Sequence, residues 1–246
     1  MSNWGLDGLL EQFWAHLSHQ PLAGLVLSLL AYSLGLWLYQ RAQRPVILHP
    51  VLTAAALIAL ALHSADINYR DYVASNQLLY LLLGPATVAL AVPLHQEFHH
   101  LRGLVLPILV TIVCGAIIAV LSAVGIAWLA GASDSVLLAL TPKSVTTPIA
   151  LGIAERIGAL GSLTAGIVVF TGVSAALLAP LVFRLTGLAD ERLRGLVLGL
   201  NGHGVGTAIA FERSPVSGAF ASLAMGLTGA LTALTLPLIL RWWPFL

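Results

Sequence analysis

Six apolar stretches, each close to the length an α-helix needs to cross a lipid bilayer, constrain this chain more than any other feature. They are residues 21–39, 46–63, 78–95, 104–130, 160–185 and 219–240. A spanning helix takes about 20 consecutive apolar residues. A helix that is apolar on every side has no face to offer water and must be covered all round. The remaining residues cannot supply that cover, because only 9% of the chain is charged, against about 25% in soluble domains. A soluble globular fold is therefore excluded. So is disorder, since too much apolar surface seeks burial. The formal net charge of +1 offers no basic field for a nucleic acid. The fold class is an all-α polytopic membrane protein with the lipid bilayer as its solvent.

Two further stretches, 135–154 and 193–211, are long enough to cross but carry polar and helix-weakening residues. They read as discontinuous or re-entrant segments, which leaves about six to eight transmembrane segments. Residues 1–20 place Leu6, Leu9, Leu10, Phe13, Trp14 and Leu17 on one helical face, as an interfacial helix does; a disordered lead-in is the alternative. They carry no secretory signal pattern. Residues 21–246 form one membrane domain. Trp4, Trp14, Trp242 and Trp243 read as interface anchors.

The single cysteine, Cys114, permits no disulfide within the chain and no thiolate metal cluster. The eight histidines lack tight ligand spacing, and His95, His99 and His100 beside Glu97 and Arg102 read as a wet interfacial turn. No metal, cofactor or enzymatic activity is expected.

The two interrupted stretches resemble each other. At an offset of 60, Val145, Thr147, Ile149 and Ala150 match Val205, Thr207, Ile209 and Ala210. Farther on the offset slips to 57, where Thr171, Gly172 and Pro180 match Thr228, Gly229 and Pro237. A fainter echo at 57 pairs Pro85 with Pro142 and Gly115 with Gly172. Repeats of this kind place a transporter's site where the repeats meet. Arg41, Arg44 and Arg102 suggest cytoplasmic segment ends. Arg184, Arg192 and Arg194 join them only if 135–154 enters and turns back, so the positive-inside rule favours a re-entrant hairpin at the Pro142–Pro148 break.

The chemistry concentrates in these stretches. Lys143 is the only lysine in the protein and lies inside an apolar segment. Holding an ammonium at bilayer depth costs about 2.5–3.5 kcal/mol on insertion scales. A wet cavity or an anion offsets that cost; snorkelling to an interface is the alternative. Pro142 and Pro148 each lack a backbone N–H and break the helix ladder, and Ser144, Thr146 and Thr147 offer polar partners. In the second stretch Gly202, Gly204 and Gly206 surround His203, with Asn201 and Thr207 alongside. His203 has the one side chain whose ordinary titration lies near neutral pH. A helix-packing motif with a hydrogen-bonded histidine is the alternative there. Glu212 is a possible supporting charge, and Pro85 a third break or a kink. Together the two motifs suit a small carboxylate. Lys143 would take the carboxylate, with Ser144, Thr146, Thr147, Asn201 and Thr207 lining the site and His203 exchanging a proton.

The string from Pro142 to Ala150 (Pro-Lys-Ser-Val-Thr-Thr-Pro-Ile-Ala) resembles the LrgB/CidB family. So do His203-x-x-Gly206-Thr207, Glu212, the 218–225 string Gly-Ala-Phe-x-Ser-Leu-Ala-Met, and Pro85-Ala-Thr-Val-Ala-Leu-Ala-Val-Pro-Leu94. The resemblance covers roughly residues 20–242. It implies a bacterial cytoplasmic (inner) membrane protein of antiholin-like type, acting with a small holin-like partner of the LrgA/CidA kind on murein hydrolase activity. It also implies kinship with the C-terminal half of the plastid glycolate/glycerate translocator. The fold implied is that of the cation/proton antiporter and bile-acid symporter group, with inverted repeats. Where many relatives have Gly-Thr-Ala-Arg, this chain has Gly206-Thr207-Ala208-Ile209. The resulting expectation is a secondary transporter of small monocarboxylates (glycolate, glycerate, lactate or pyruvate), proton-coupled or exchanging, and a homo-oligomer. The rival is an antiholin-like interaction protein.

Overall fold

A computed structural model describes residues 22–43, 45–89, 92, 95 and 103–241. The N-terminal interfacial helix, Arg44, the 97–102 polar cluster, Trp242 and Trp243 lie outside the described residues. Ten α-helices fall within them. The chain divides into two compact units, residues 1–89 and 90–246.

The first unit contains α1 (Ala23–Arg41), α2 (Pro50–Ser64), α3 (Tyr69–Ala74) and α4 (Gln77–Ala89). Pro50 opens α2, where a missing N–H costs no helical hydrogen bond. Asn68 caps α3 by accepting from the Arg70 N–H at 2.9 Å. Ser28 on α1 shares a 2.7 Å hydrogen bond with the Tyr72 hydroxyl and donates to Asn76 Oδ1 at 3.1 Å. The helix of α4 continues through Pro85. Of the two readings of Pro85, a break or a kink, the break is not seen: a single proline removes one rung of the ladder, and the helix goes on past it to Ala89.

The second unit contains α5 (Val105–Leu129), α6 (Asp134–Leu140), α7 (Thr147–Ile157), α8 (Gly161–Thr186), α9 (Glu191–Arg213) and α10 (Pro215–Arg241). Among the described residues four helices are long and apolar enough to cross a membrane, namely α1, α5, α8 and α10. At 15 residues, α2 is about 22 Å long, short of a 30 Å hydrocarbon core.

Contacts along α9 fix its path. In its first half, Gly195 lies against the Ser217 carbonyl and Gly199 against the Ala221 carbonyl. Both positions advance by four, so this half runs parallel to α10. In its second half, Thr207 reaches Met225 and Phe211 covers Gly218. Here the numbers rise on one helix and fall on the other, so the direction has reversed. The ends agree: Arg213 Nη2 meets Glu191 Oε1 at 2.9 Å. A straight helix would hold residues 191 and 213 about 33 Å apart. The turn is at His203, with φ 39° and ψ −123°. A β-carbon on Gly206 would strike the Leu198 carbonyl, so glycine is what lets the two arms close.

The arms of α6 and α7 also turn, at residues 141–146. α7 follows α10 in parallel: Gly229 faces Ile149, and Val145, Ile149, Ile153 and Ile157 share a cluster with Ala233, Leu236 and Leu240. α5 too is parallel to α10, since Ile108 and Ile112 cluster with Phe220 while Trp128 shares a groove with Ile239 and Leu240. The end of α5 and the end of α7 therefore coincide. Only residues 130–133 separate α5 from α6, so α6 enters from that same end. α8 returns antiparallel to α7 and to the first half of α9, passing Val168 near Val145 and placing Phe183 under the Arg194 guanidinium. Small residues on α10 (Ser217, Gly218, Ala219, Ala221, Ser222, Ala224), all buried, permit this close helix approach.

Candidate functional site

The two turns come from opposite ends of the unit and meet near the middle of α8 and α10. Val168 links them. Its side chain packs with Val145 and Ala150 of the first hairpin, and its carbonyl is 3.0 Å from His203 Nε2 of the second. At the offset of 60 seen in the sequence, Lys143 and His203 are equivalent positions, each at the tip of its hairpin.

The first tip is held by its own backbone. Lys143 N–H donates to the Leu140 carbonyl at 3.2 Å and Val145 N–H to that of Pro142 at 3.3 Å. Thr141 Oγ1 donates back to Leu138 O at 2.8 Å. Pro142 is buried in the turn, and Pro148 sits in the first turn of α7, where its missing N–H is harmless. Thr146 precedes α7 without capping it by its side chain, so N–H groups at this helix start are left for another acceptor. Lys143 is half-buried and donates to Ser144 Oγ at 3.2 Å. Among the described residues no carboxylate pairs with it.

The second tip is more enclosed. His203 and Thr207 are buried. Thr207 Oγ1 donates to the His203 carbonyl at 2.7 Å and approaches Met225 Sδ at 3.7 Å. Asn201 instead donates to Val197 O on its own helix at 3.0 Å. Gly202 packs against Ala175, whereas Gly204 faces open space. The segment is helical on both sides of His203 rather than unwound along its glycines.

The structure thus brings Lys143, Ser144, His203 and Thr207 to facing tips, with Thr146 and Thr147 at the start of α7. Glu212 lies away from them at the hairpin base. There Arg213 bonds Glu191, which also takes Arg194 Nη1 at 2.7 Å. Sequence reasoning named Gly172 and Thr228 only as repeat matches and missed Val168. Gly172 makes room for the His203 ring; its match in the repeat, Gly229, makes room for Ile149. The offset of 57 pairs the two glycines, but not the side chains they receive. Val168 contributes a backbone atom, which no sequence reveals. Thr228 is fully buried with an unpartnered hydroxyl among the described residues. A groove of about 760 Å³ between α5 and α10 is lined almost wholly by apolar side chains and includes neither Lys143 nor His203. No group of metal-ligating side chains occurs among the described residues.

The sequence has relatives among known proteins. A model of the LrgB-like family matches residues 28–242. The chain is 36% identical over 223 residues to the YwbG protein of Bacillus subtilis (strain 168), covering 89% of this chain and 97% of that protein. It is 30% identical over 220 residues to the antiholin-like protein LrgB of Bacillus cereus (strain B4264), covering 89% and 96%. The same figures hold for the protein of that name in Bacillus anthracis (strain CDC 684 / NRRL 3495). No solved structure matches the chain. From the length and level of these matches, the chain is a member of the LrgB-like family of membrane proteins.

Proposed function

We propose that the protein is a secondary transporter of small monocarboxylates whose site lies between the tips of two opposed re-entrant hairpins. The observation that carries this reading is the Lys143 ammonium at a hairpin tip, bonded to a hydroxyl and lacking a carboxylate partner among the described residues. A charge in that position needs an anion. Around it stand the N–H groups at the start of α7, which favour negative charge, and the hydroxyls of Ser144, Thr146 and Thr147. His203 faces the same gap and takes up the proton that keeps transfer electroneutral. Asn201 and Thr207, both already bonded to backbone, support the second tip.

The repeat supports alternating access. The α6–α7 hairpin with α8, and the α9 hairpin with α10, are the same unit inserted in opposite directions. Arg184, Arg192, Arg194 and Arg213 collect at the base of the α9 hairpin. By the positive-inside rule that end is cytoplasmic, in a bacterial inner membrane, and the α6–α7 hairpin opens outward.

A second reading draws on the relatives. The printed name antiholin-like protein LrgB favours a protein that modulates a holin-like membrane partner and murein hydrolase activity. The comparisons favour this reading and the tip geometry favours the first. Proteoliposomes separate them. A carboxylate gradient drives labelled uptake in the first reading, and Lys143→Ala abolishes it while the protein stays folded. Uptake that persists in Lys143→Ala refutes the anion site. No uptake, together with capture of a holin-like partner, favours the antiholin-like role.

A further inference from the structure

His203 is the one non-glycine residue with positive φ inside a helix among the described residues. Such a conformation costs about 1–3 kcal/mol and would suit glycine, yet Gly202 and Gly204 flank the position and a histidine occupies it. The side chain is therefore what the turn is built to present. Its ring does not hang free. Nε2 is 3.0 Å from the Val168 carbonyl on α8.

Gly172 explains how the ring reaches that oxygen. Side chains on an α-helix lean toward its N-terminus, so the residue at i+4 covers the carbonyl at i. Residue 172 stands four after Val168. A β-carbon there would lie 2.7 Å from His203 Cε1 and 2.9 Å from Nε2. Glycine uncovers the carbonyl and leaves a seat for the imidazole.

We propose that Gly172 and the Val168 carbonyl are positioning elements that fix His203 as its Nε2–H tautomer, making Nδ1 the atom that gains and loses the transported proton. A carbonyl only accepts, so the nitrogen facing it must carry hydrogen. That holds for the neutral ring and for the imidazolium alike. Nδ1 makes no hydrogen bond among the described residues, and in the neutral ring it is the nitrogen with a lone pair. One proton adds there and the same one leaves; Nε2–H never exchanges roles. The charge at the opposing tip is Lys143. α8 and α10 carry their only charges, Arg184 and Arg241, near their far ends. Those of α9 (Glu191, Arg192, Arg194, Glu212, Arg213) lie at the hairpin base. α5 carries none.

This inference rests on the proton role given to His203 above, but its test does not need transport. The full chain is labelled with 15N-histidine and placed in lipid nanodiscs, and the His203 signals are assigned by their loss in His203→Gln. The expected spectrum of the neutral ring has a protonated Nε2 and a bare Nδ1, with a preference of about tenfold, the ratio one buried hydrogen bond sustains. Acidification then moves the Nδ1 signal and leaves Nε2 protonated. In Gly172→Ala the preference falls toward an even mixture. A protonated Nδ1 with a bare Nε2 in the wild-type protein overturns the proposal, and that measurement stands even if Gly172→Ala does not fold. Absence of carboxylate uptake in a protein with the expected tautomer removes the transport reading and leaves the seat intact.

Discussion

Replacing Gly206 with alanine tests the reversal of α9 directly. In a helix that ran on through the bilayer, residues 198 and 206 would be about 12 Å apart, and a methyl group at 206 would be harmless. In the hairpin, that methyl meets the Leu198 carbonyl and lies 2.9 Å from its carbon. Carbon atoms pack at about 3.5–4.0 Å, so one arm has to retreat by roughly half an ångström to one ångström. The obstacle is backbone and cannot rotate away. Overpacking of this kind costs about 1–3 kcal/mol. Gly204 is the internal control. It lies two residues away, is exposed, and meets nothing within 4 Å. Alanine there falls between neutral and a gain of about 0.4–1 kcal/mol from a stiffer unfolded chain. Equilibrium unfolding of both variants in mixed micelles measures the difference. Equal stabilities for Gly206→Ala and Gly204→Ala would refute the hairpin.

Other outcomes follow from the base and caps of the same elements. Because Glu191 joins Arg213 from the far end of the segment, a double-mutant cycle with Glu191→Gln and Arg213→Gln gives a coupling of about 0.2–1 kcal/mol that fades in high salt; zero coupling at low salt contradicts the closed base. Asp190 is held down to about 2, chiefly by its hydrogen bonds with Arg192. Its folded value lies below the unfolded one, so its contribution is present above about pH 4 and is lost as pH falls through the folded value. With a third of the side chain exposed, the gain is under about 1 kcal/mol, and Asp190→Asn flattens the acid limb of the stability curve by that amount. Gly187 ends α8 at φ 65°; Gly187→Ala costs about 1 kcal/mol, and an unchanged unfolding midpoint argues against that cap.

The sequence alone determined the solvent of this protein and the location of its breaks. Apolar runs of bilayer length need no tertiary contact to be recognised, because lipid demands an internally satisfied helix wherever it touches the chain. Likewise Pro142, Pro148 and the glycines around His203 weaken a helix locally, and the chain breaks beside them. Pro85 shows the limit of that logic, since a lone proline is absorbed within α4. Whether a broken segment passes on or turns back is a different matter. The pieces on either side of His203 have the same helical pattern in both cases. What decides is which carbonyl Gly206 meets, which helix Gly195 and Gly199 lie against, and whether Glu191 reaches Arg213. These contacts join residues far apart in order, and a local pattern carries no record of them. The partner of His203 is harder still to foresee, for it is a main-chain oxygen, identical in every residue, exposed only because the residue one turn farther along α8 lacks a side chain.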